Sequence, residues 1–499
     1  MSMLARLAMH ARSQPQQVAI LGSGCRIDYA DLYKALDSLI GQLQALEVRT
    51  LALDLDNGAA WALLDLAALE AGIALLPIPP FFSPAQVRHA LRASAVEMVI
   101  TADVERFAQS QPDLSLEQRG TLTLFDQSLI CLRTPYLESN IPPGIHKVTF
   151  TSGTTGEPKG VLLSWRQMRP VVCSLADAVQ VSRDDRHLVL TPLAVLLENI
   201  AGLYTSLWSG ASVALPSLRE TGLLGAAGLD QHQMMTTLDR YEATAAIFSP
   251  QMLQGAVAYV TEGNAVPDHL RFIAVGGASV SQRLLTQAKA IGLPVYEGYG
   301  LSETASVVTL NHPAADRPGS VGRPLPHLQI RIAADGEVWV RGNRFAGYLG
   351  ESQRAAEDEW WQTGDIGFID ADGYLFLRGR RRHIFITAFG RNVSPEWVER
   401  ELVLEPAIAQ AAMFGEARPW NVALIVPAAK ATGTEIEAAI QRVNQSLPDY
   451  ARVSQWIAAD EPFSPRNGQL SGTGRLRRES LLQHYGSRMA ALYQEELAS

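Results

Sequence analysis

The sequence predicts an α/β chain closed by a small α+β domain, and three observations carry that reading. Over residues 1–140, helical apolar spacing alternates with strand-length apolar runs, a pattern that favours a parallel sheet covered by helices. Farther on, short apolar runs each stop within two residues of a Pro or Gly. After Gly322 the pattern changes to strand-length segments separated by Asp-Gly or Gly turns, which reads as antiparallel strands.

Taken in order, the spacing predicts a helix over 36–43 and a strand over 51–55. A helix over 61–69 leads into the apolar run 73–78, where Pro77, Pro79 and Pro80 end it, and a helix over 84–91 precedes a strand over 96–100. Strands follow at 148–150, 161–163, 211–215, 246–248 and 272–275, then at 328–332, 337–340 and 374–377. The basic segment Arg378-Gly379-Arg380-Arg381-Arg382 lies between a strand and Ile384-Phe385-Ile386, which suits a domain junction. Beyond it come a helix over 398–404, strands over 408–414 and 422–426, and a helix over 434–447 preceded by Gly433 as a breaker. The expected division is a large domain, 1–380, and a small domain, 381–499.

Composition narrows the function classes. The chain has 499 residues, 47% of them hydrophobic, enough for large cores and too many for one typical domain. A net charge of −9 argues against a general nucleic-acid surface and still allows a positive cleft for an anionic substrate. Cys25, Cys131 and Cys173 are far apart without metal-ligand spacing, as suits a reduced, cytoplasmic compartment. Residues 1–17 hold no apolar export core. The apolar stretch 59–80 is interrupted by Asp65, Glu70 and Gly72, so it reads as helix and strand and no integral membrane segment is expected. Only five of the 42 Lys and Arg residues are lysines, at 34, 147, 159, 289 and 430. An Arg where the chemistry calls for Lys therefore fits the usage of the whole chain.

The strongest local signal is Thr151-Ser152-Gly153-Thr154-Thr155-Gly156-Glu157-Pro158-Lys159-Gly160. Glycines let the backbone approach closely, free N–H groups make an anion-binding concavity, hydroxyls donate to phosphate oxygens, and Lys159 adds a compact cation. The Walker A spacing is absent. A plain surface turn seldom combines these features.

This segment resembles the signature loop of the adenylate-forming superfamily, which includes acyl-CoA synthetases, aryl-CoA ligases, luciferases and peptide-synthetase adenylation domains. The resemblance continues in order through Gly276-Gly277-Ala278, Tyr299-Gly300-Leu301-Ser302-Glu303, Thr363-Gly364-Asp365, Gly379-Arg380 and Gly390-Arg391-Asn392-Val393-Ser394-Pro395. It implies an acyl-adenylate synthetase-like large domain of layered sheets with an antiparallel subdomain. It also implies ATP, Mg²⁺ and coenzyme A as cofactors. In that picture Thr151 to Gly156 and Ser302 contact phosphate, and Gly277 lies at the acyl pocket. Tyr299 stacks on adenine, Asp365 and Arg380 take the ribose, Glu303 holds Mg²⁺, and Lys159, Glu303 and Arg475 are the catalytic set.

Three positions depart from the family pattern. Arg475, in Gly472-Thr473-Gly474-Arg475, stands where the family has a lysine that bridges the acyl carboxylate and the α-phosphate; Arg keeps the charge in a larger, planar form. Val195 replaces a pocket histidine, while Glu198 matches an acidic residue of long-chain-type members or else pairs at the start of a helix over 200–207. At the hinge, Arg382 is followed by His383, to which the sequence assigns no carboxylate partner. The expected activity is ATP-dependent activation of a fatty or aryl acid, then thioester formation with coenzyme A. A carrier-protein acceptor, an adenylate-dependent lactone-forming reaction and a non-catalytic nucleotide-binding role remain as alternatives.

Overall fold

The computed structural model describes residues 1–125, 127–151, 158–224, 228–351, 359–471 and 474–495. Among these residues, an eight-stranded sheet runs in the order Gly347–Tyr348, Lys159–Leu163, Lys147–Thr151, Ala74–Pro77, Thr50–Asp54, Met98–Thr101, Gln127–Arg133, Glu117–Leu124. Its centre is parallel, as predicted, with Thr50–Asp54 flanked by Ala74–Pro77 and Met98–Thr101. Its flanks are antiparallel, so the parallel expectation holds for the middle only. Chain length explains one flank: the link over residues 152–158 is shorter than the dozen or so residues that a parallel crossover needs.

A second sheet has nine strands. Its body is parallel, with Val18–Gly22, Ser212–Leu215, Arg186–Leu188, Ala245–Phe248, Phe272–Val275 and Val295–Tyr299 side by side. One buried cluster joins the two sheets: Leu51, Leu53 and Leu75 from the first, Ile20, Val213 and Leu215 from the second, and Trp61, Leu63 and Leu66 from the helix Ala59–Ala71. That helix is buried all round, as an apolar helix without a polar face must be.

The turn-rich region after Gly322 is an antiparallel sheet, as predicted, in the order Leu328–Ile332, Glu337–Gly342, Trp361–Ile369, Leu375–Arg380. The strand Trp361–Ile369 carries Gly364 and Gly367, which dilute its apolar pattern, and pairing on both edges holds it. After the basic junction, Ile408–Phe414, Asn421–Pro427 and Val453–Ala458 form a three-stranded sheet. The helices Pro395–Leu402 and Gly433–Ser446 pack on one face and Arg478–Glu495 on the other. Gly433 is the first helical residue and not a breaker ahead of the helix, because Thr432 caps it in a reciprocal box with Glu435.

The helix expected over 200–207 is instead a π-helical turn, Glu198–Tyr204, running into a short α-helix, Thr205–Ser209. Polar anchors at its first two residues account for the wider winding. Glu198 accepts from His187 at 2.7 Å and from the Thr191 hydroxyl at 2.7 Å. Asn199 donates to Asp65 at 2.8 Å and accepts from Lys147. A Cβ on Gly202 would fall 2.5 Å from both Glu198 Oε1 and His187 Nε2, so only glycine lets the turn close on this pair. Among the described residues, no helix is long and apolar enough to cross a membrane.

Candidate active site

Loops at the carboxyl ends of the parallel strands build one cavity of about 1610 Å³. Ser249 follows Ala245–Phe248, Gly276 follows Phe272–Val275 and Gly300 follows Val295–Tyr299, and all three line it; open α/β sheets place ligands at this edge. Lys159, Arg380, Arg382 and Arg475 line the same space, together with Glu303. On a chain of net charge −9 this is a concentrated positive cleft.

Lys159 opens the strand Lys159–Leu163. Its ammonium lies 3.0 Å from Glu351 and 4.8 Å from the centre of the Tyr348 ring. The Tyr348 hydroxyl donates to Glu303 at 2.7 Å. Burial, and then the Glu303 charge, raise the Tyr348 phenol well above its ordinary range, so it stays a donor. Ser302 starts the short 3₁₀ turn Ser302–Thr304 that carries Glu303 into the cavity. Just before it, a Cβ on Gly300 would sit 1.6 Å from the Ser306 carbonyl oxygen, so no other residue fits. Thr151 ends the strand Lys147–Thr151 and lines the cavity. Ser152, Gly153, Thr154, Thr155 and Gly156 lie outside the described residues, as do Gly472 and Thr473.

Asp365 sits opposite Arg380 in the antiparallel sheet. Tyr299 donates its hydroxyl to Asp365 Oδ2 at 2.6 Å, and Arg380 Nε lies 2.9 Å from Oδ1. Burial raises the Asp365 carboxyl, with Arg380 and the Tyr299 hydrogen bond opposing it. Asp365 is 5% exposed, so Tyr299 and Arg380 form the cavity surface while Asp365 holds both from behind. Its oxygens keep spare lone pairs.

Arg475 reaches across from the C-terminal region and donates Nη2 to the Gly277 carbonyl at 3.2 Å. Protein surrounds it on most sides, while its guanidinium meets the solvent of the cavity. Burial, then Arg380, lower its proton affinity; Asp365, Glu396 and Glu303 support the charge. Glu405 makes a second link, accepting from Arg283 at 3.1 Å and pairing with Arg442 at 2.7 Å. At the junction, Arg382 donates to His383 Nε2 at 3.1 Å, and His383 Nδ1 donates to Glu396 at 2.5 Å. No carboxylate partner for His383 is legible in the sequence; the fold supplies one, Glu396, on the helix Pro395–Leu402.

Below the sheet edge, Lys147 is buried with Asp65 at 2.7 Å and Tyr204 at 3.2 Å, and its ammonium lies 4.8 Å from the centre of the Tyr204 ring. This network and the Glu198 network fix the π-helical turn, whose Ala201 faces the cavity. Pro192 and Val195 also line the cavity.

Residues 7–349 match the family model described as AMP-binding enzyme, and residues 383–497 match the AMP-binding enzyme C-terminal domain. The chain belongs to the AMP-binding enzyme family. It is 28% identical to the long-chain-fatty-acid–CoA ligase FadD15 of Mycobacterium bovis, over 87% of this chain and 86% of that protein. Its fold is similar to O-succinylbenzoate coenzyme A synthetase (MenE) of Bacillus subtilis in complex with AMP, with TM-score 0.74, 22% identity, and coverage of 95% of this chain and 97% of that one. The anthranilate CoA ligase AuaEII in complex with anthranoyl-AMP superposes with TM-score 0.77 at 19% identity, over 97% of each chain.

The fold of this AMP-binding enzyme brings Thr151, Lys159, Gly277, Tyr299, Ser302, Glu303, Arg380 and Arg475 to one cavity, with Asp365 directly behind. Sequence reasoning missed Tyr348, which touches both Lys159 and Glu303, and Glu351. Arg382, expected at the hinge, also lines the cavity with its side chain. The aromatic at 348, three residues before an acidic one and following Gly347, carries no spacing that marks it as more than a core tyrosine.

Proposed function

We propose that this AMP-binding enzyme joins a carboxylic acid to ATP, releasing pyrophosphate, and passes the acyl group from acyl-AMP to the thiol of coenzyme A. One observation carries the reading: Lys159, Arg380, Arg382, Arg475 and Glu303 line a cavity that also takes in Gly276, Gly277 and the apolar Ala274 and Phe272. Triphosphate and acid can therefore meet at one point, beneath Arg475. In the first step a carboxylate oxygen attacks the α-phosphorus and pyrophosphate leaves. In the second a thiolate attacks the acyl carbon and AMP leaves. Catalysis of this kind is positioning together with stabilisation of charge on phosphate oxygens.

The proposed roles follow the cavity lining and, for residues 152–156, the family resemblance of the sequence. Lys159, Ser302 and the loop Thr151, Ser152, Gly153, Thr154, Thr155 and Gly156 bind phosphate oxygens. Arg475 binds oxygens of the α-phosphate and the acid above Gly277. Tyr299 flanks the base, and Arg380, held by Asp365, reaches the ribose. One carboxylate with substrate phosphates fits Mg²⁺, which keeps several waters and takes few protein ligands; Glu303 would hold it, and when bound it neutralises phosphate charge. The segment 1–380 is proposed as the large domain and 381–499 as the mobile one, turning at Arg382 between the two steps.

The coenzyme A ligase names of the relatives support that thiol, with a carrier-protein pantetheine as the competing acceptor. The unpaired Cys25, Cys131 and Cys173 support a cytoplasmic setting. Arg475 in place of lysine favours a second reading, a nucleotide-binding homologue without turnover. Pyrophosphate release is measured with a panel of fatty, aryl and amino acids, with and without coenzyme A. Release with fatty or aryl acids and thioester on adding coenzyme A is expected. ATP binding with no release for any acid establishes the second reading, and an amino acid as preferred substrate refutes the acid class.

A further inference from the structure

The apolar arm of the cavity has a measurable depth and a polar end. On the strand Phe272–Val275, Phe272 and Ala274 face the inter-sheet core, while Ile273 and Val275 face the opposite one. Gly276, Ala274 and Phe272 thus form a single row, as period-two alternation requires, and all three line the cavity. Ala245, Ala201, Leu175 and Val179 line the same cavity. Four residue steps along the strand take Phe272 to Gly276, a run of about 13 Å. The ring of Phe272 is stacked on Tyr296 at 5.2 Å and 10°, which holds it in place at the lower end. Beyond it lies Arg271, paired through two nitrogens with Asp185 at 2.5 and 2.7 Å and also donating to the Val179 carbonyl at 3.1 Å.

The polar groups at this end are already partnered: Arg271 pairs with Asp185, and His187 is hydrogen-bonded to Glu198. Neither pair leaves a cation free for a second carboxylate on the substrate. The apolar row and its polar end favour a chain that stops in a methyl group just short of the ion pair.

Resting on the acid-activating reading above, we infer that the preferred acid is a straight-chain, saturated monocarboxylate, with the Phe272 ring and the Arg271–Asp185 pair setting its length. An extended chain advances about 1.2 Å per bond, so the row houses roughly ten to eleven bonds and the optimum lies near ten to twelve carbons. Ala274 is the gate half-way down. An aryl acid fills only the upper part of the row, and a dicarboxylate carries a charge into its apolar end.

The test is kcat/KM for pyrophosphate release across the straight-chain acids from butanoate to hexadecanoate, with benzoate and decanedioate alongside. Rises of about three- to fourfold per added methylene are expected up to decanoate or dodecanoate, followed by a plateau or fall, with benzoate and decanedioate at least tenfold below decanoate. Ala274→Leu should move the optimum to about hexanoate, with ATP binding kept. A profile flat in chain length, or benzoate or decanedioate equal to decanoate, overturns the inference while leaving the activity intact. If no acid releases pyrophosphate, the activity reading fails, and calorimetric titration of the intact protein with decanoate and benzoate, in the presence of a non-hydrolysable ATP analogue, decides this one. Tighter decanoate sustains it; equal or tighter benzoate overturns it.

Discussion

The guanidinium of Arg475 is seated on the backbone carbonyl of Gly277, 3.2 Å away, so a C-terminal loop closes over the edge of the second large sheet. The contact puts a cation where acid and α-phosphate would meet. Arg475→Ala should lower acid-dependent pyrophosphate release by about 10²-fold or more, the usual cost of losing one oxyanion donor. Arg475→Lys keeps charge at that place and should stay within about tenfold of the parent. Equal activity of parent and Ala variant would refute the assigned role. Steady-state kinetics at saturating acid provides the reading.

Asp365 supports two cavity residues through one carboxylate, and a neutral amide there weakens both links. Asp365→Asn should raise the KM for ATP about tenfold or more, since hydrogen bonds to a charged group contribute about 1.5–3 kcal/mol. The variant should fold, because Asn preserves shape and still accepts from Tyr299. An unchanged KM would show that Tyr299 and Arg380 need no such backing.

His327 donates Nε2–H to the Val307 carbonyl at 3.0 Å, while its Nδ1 is buried without a partner. Protonating Nδ1 would bury an unpaired N–H, and burial accordingly lowers its pKa to about 4, against the Val307 hydrogen bond. The unfolded chain takes up this proton first, near pH 6.5, so the stability from His327 is complete above that value. It drains away as the pH falls from about 6.5 towards 4, by on the order of 2–3 kcal/mol in all. His327→Gln should flatten this part of a stability curve measured by chemical denaturation between those limits. A parent and variant with parallel curves would contradict the assignment.

Lys147 and Asp65 form a buried pair within reach of Asn199 and Tyr204. Lys147→Met leaves Asp65 charged and uncompensated, a change expected to cost about 3–5 kcal/mol. Lys147→Met with Asp65→Leu should recover most of that loss. The first unfolding transition in denaturant measures both. A double variant no better than the single one would show that Asn199 and Tyr204, not charge balance, hold the site.

Much of the fold was legible because local pattern and final structure agree. Proline at 77 ends a strand, Gly322 opens the antiparallel region, and the apolar run of residues 61–69 names a helix. The site was legible where chemistry is contiguous, as in Tyr299 to Glu303. Partnerships formed by folding left no such trace. Glu396 reaches His383 from a helix, Tyr348 reaches Lys159 across two strands, and Arg271 meets Asp185 at the lower rim of a sheet. The π-helical turn is of the same kind, since His187, Thr191, Asp65 and Lys147 impose it from four separate segments.

The scarcity of lysine acquires a chemical meaning beside this cavity. A mixed anhydride acylates amines, whereas a guanidinium stays protonated and does not attack it. Of the five lysines, Lys159 alone borders the cavity, tethered to Glu351, and Lys147 is sealed in the core. An arginine at 475 therefore spares the protein an amine at the point where its own activated product would form.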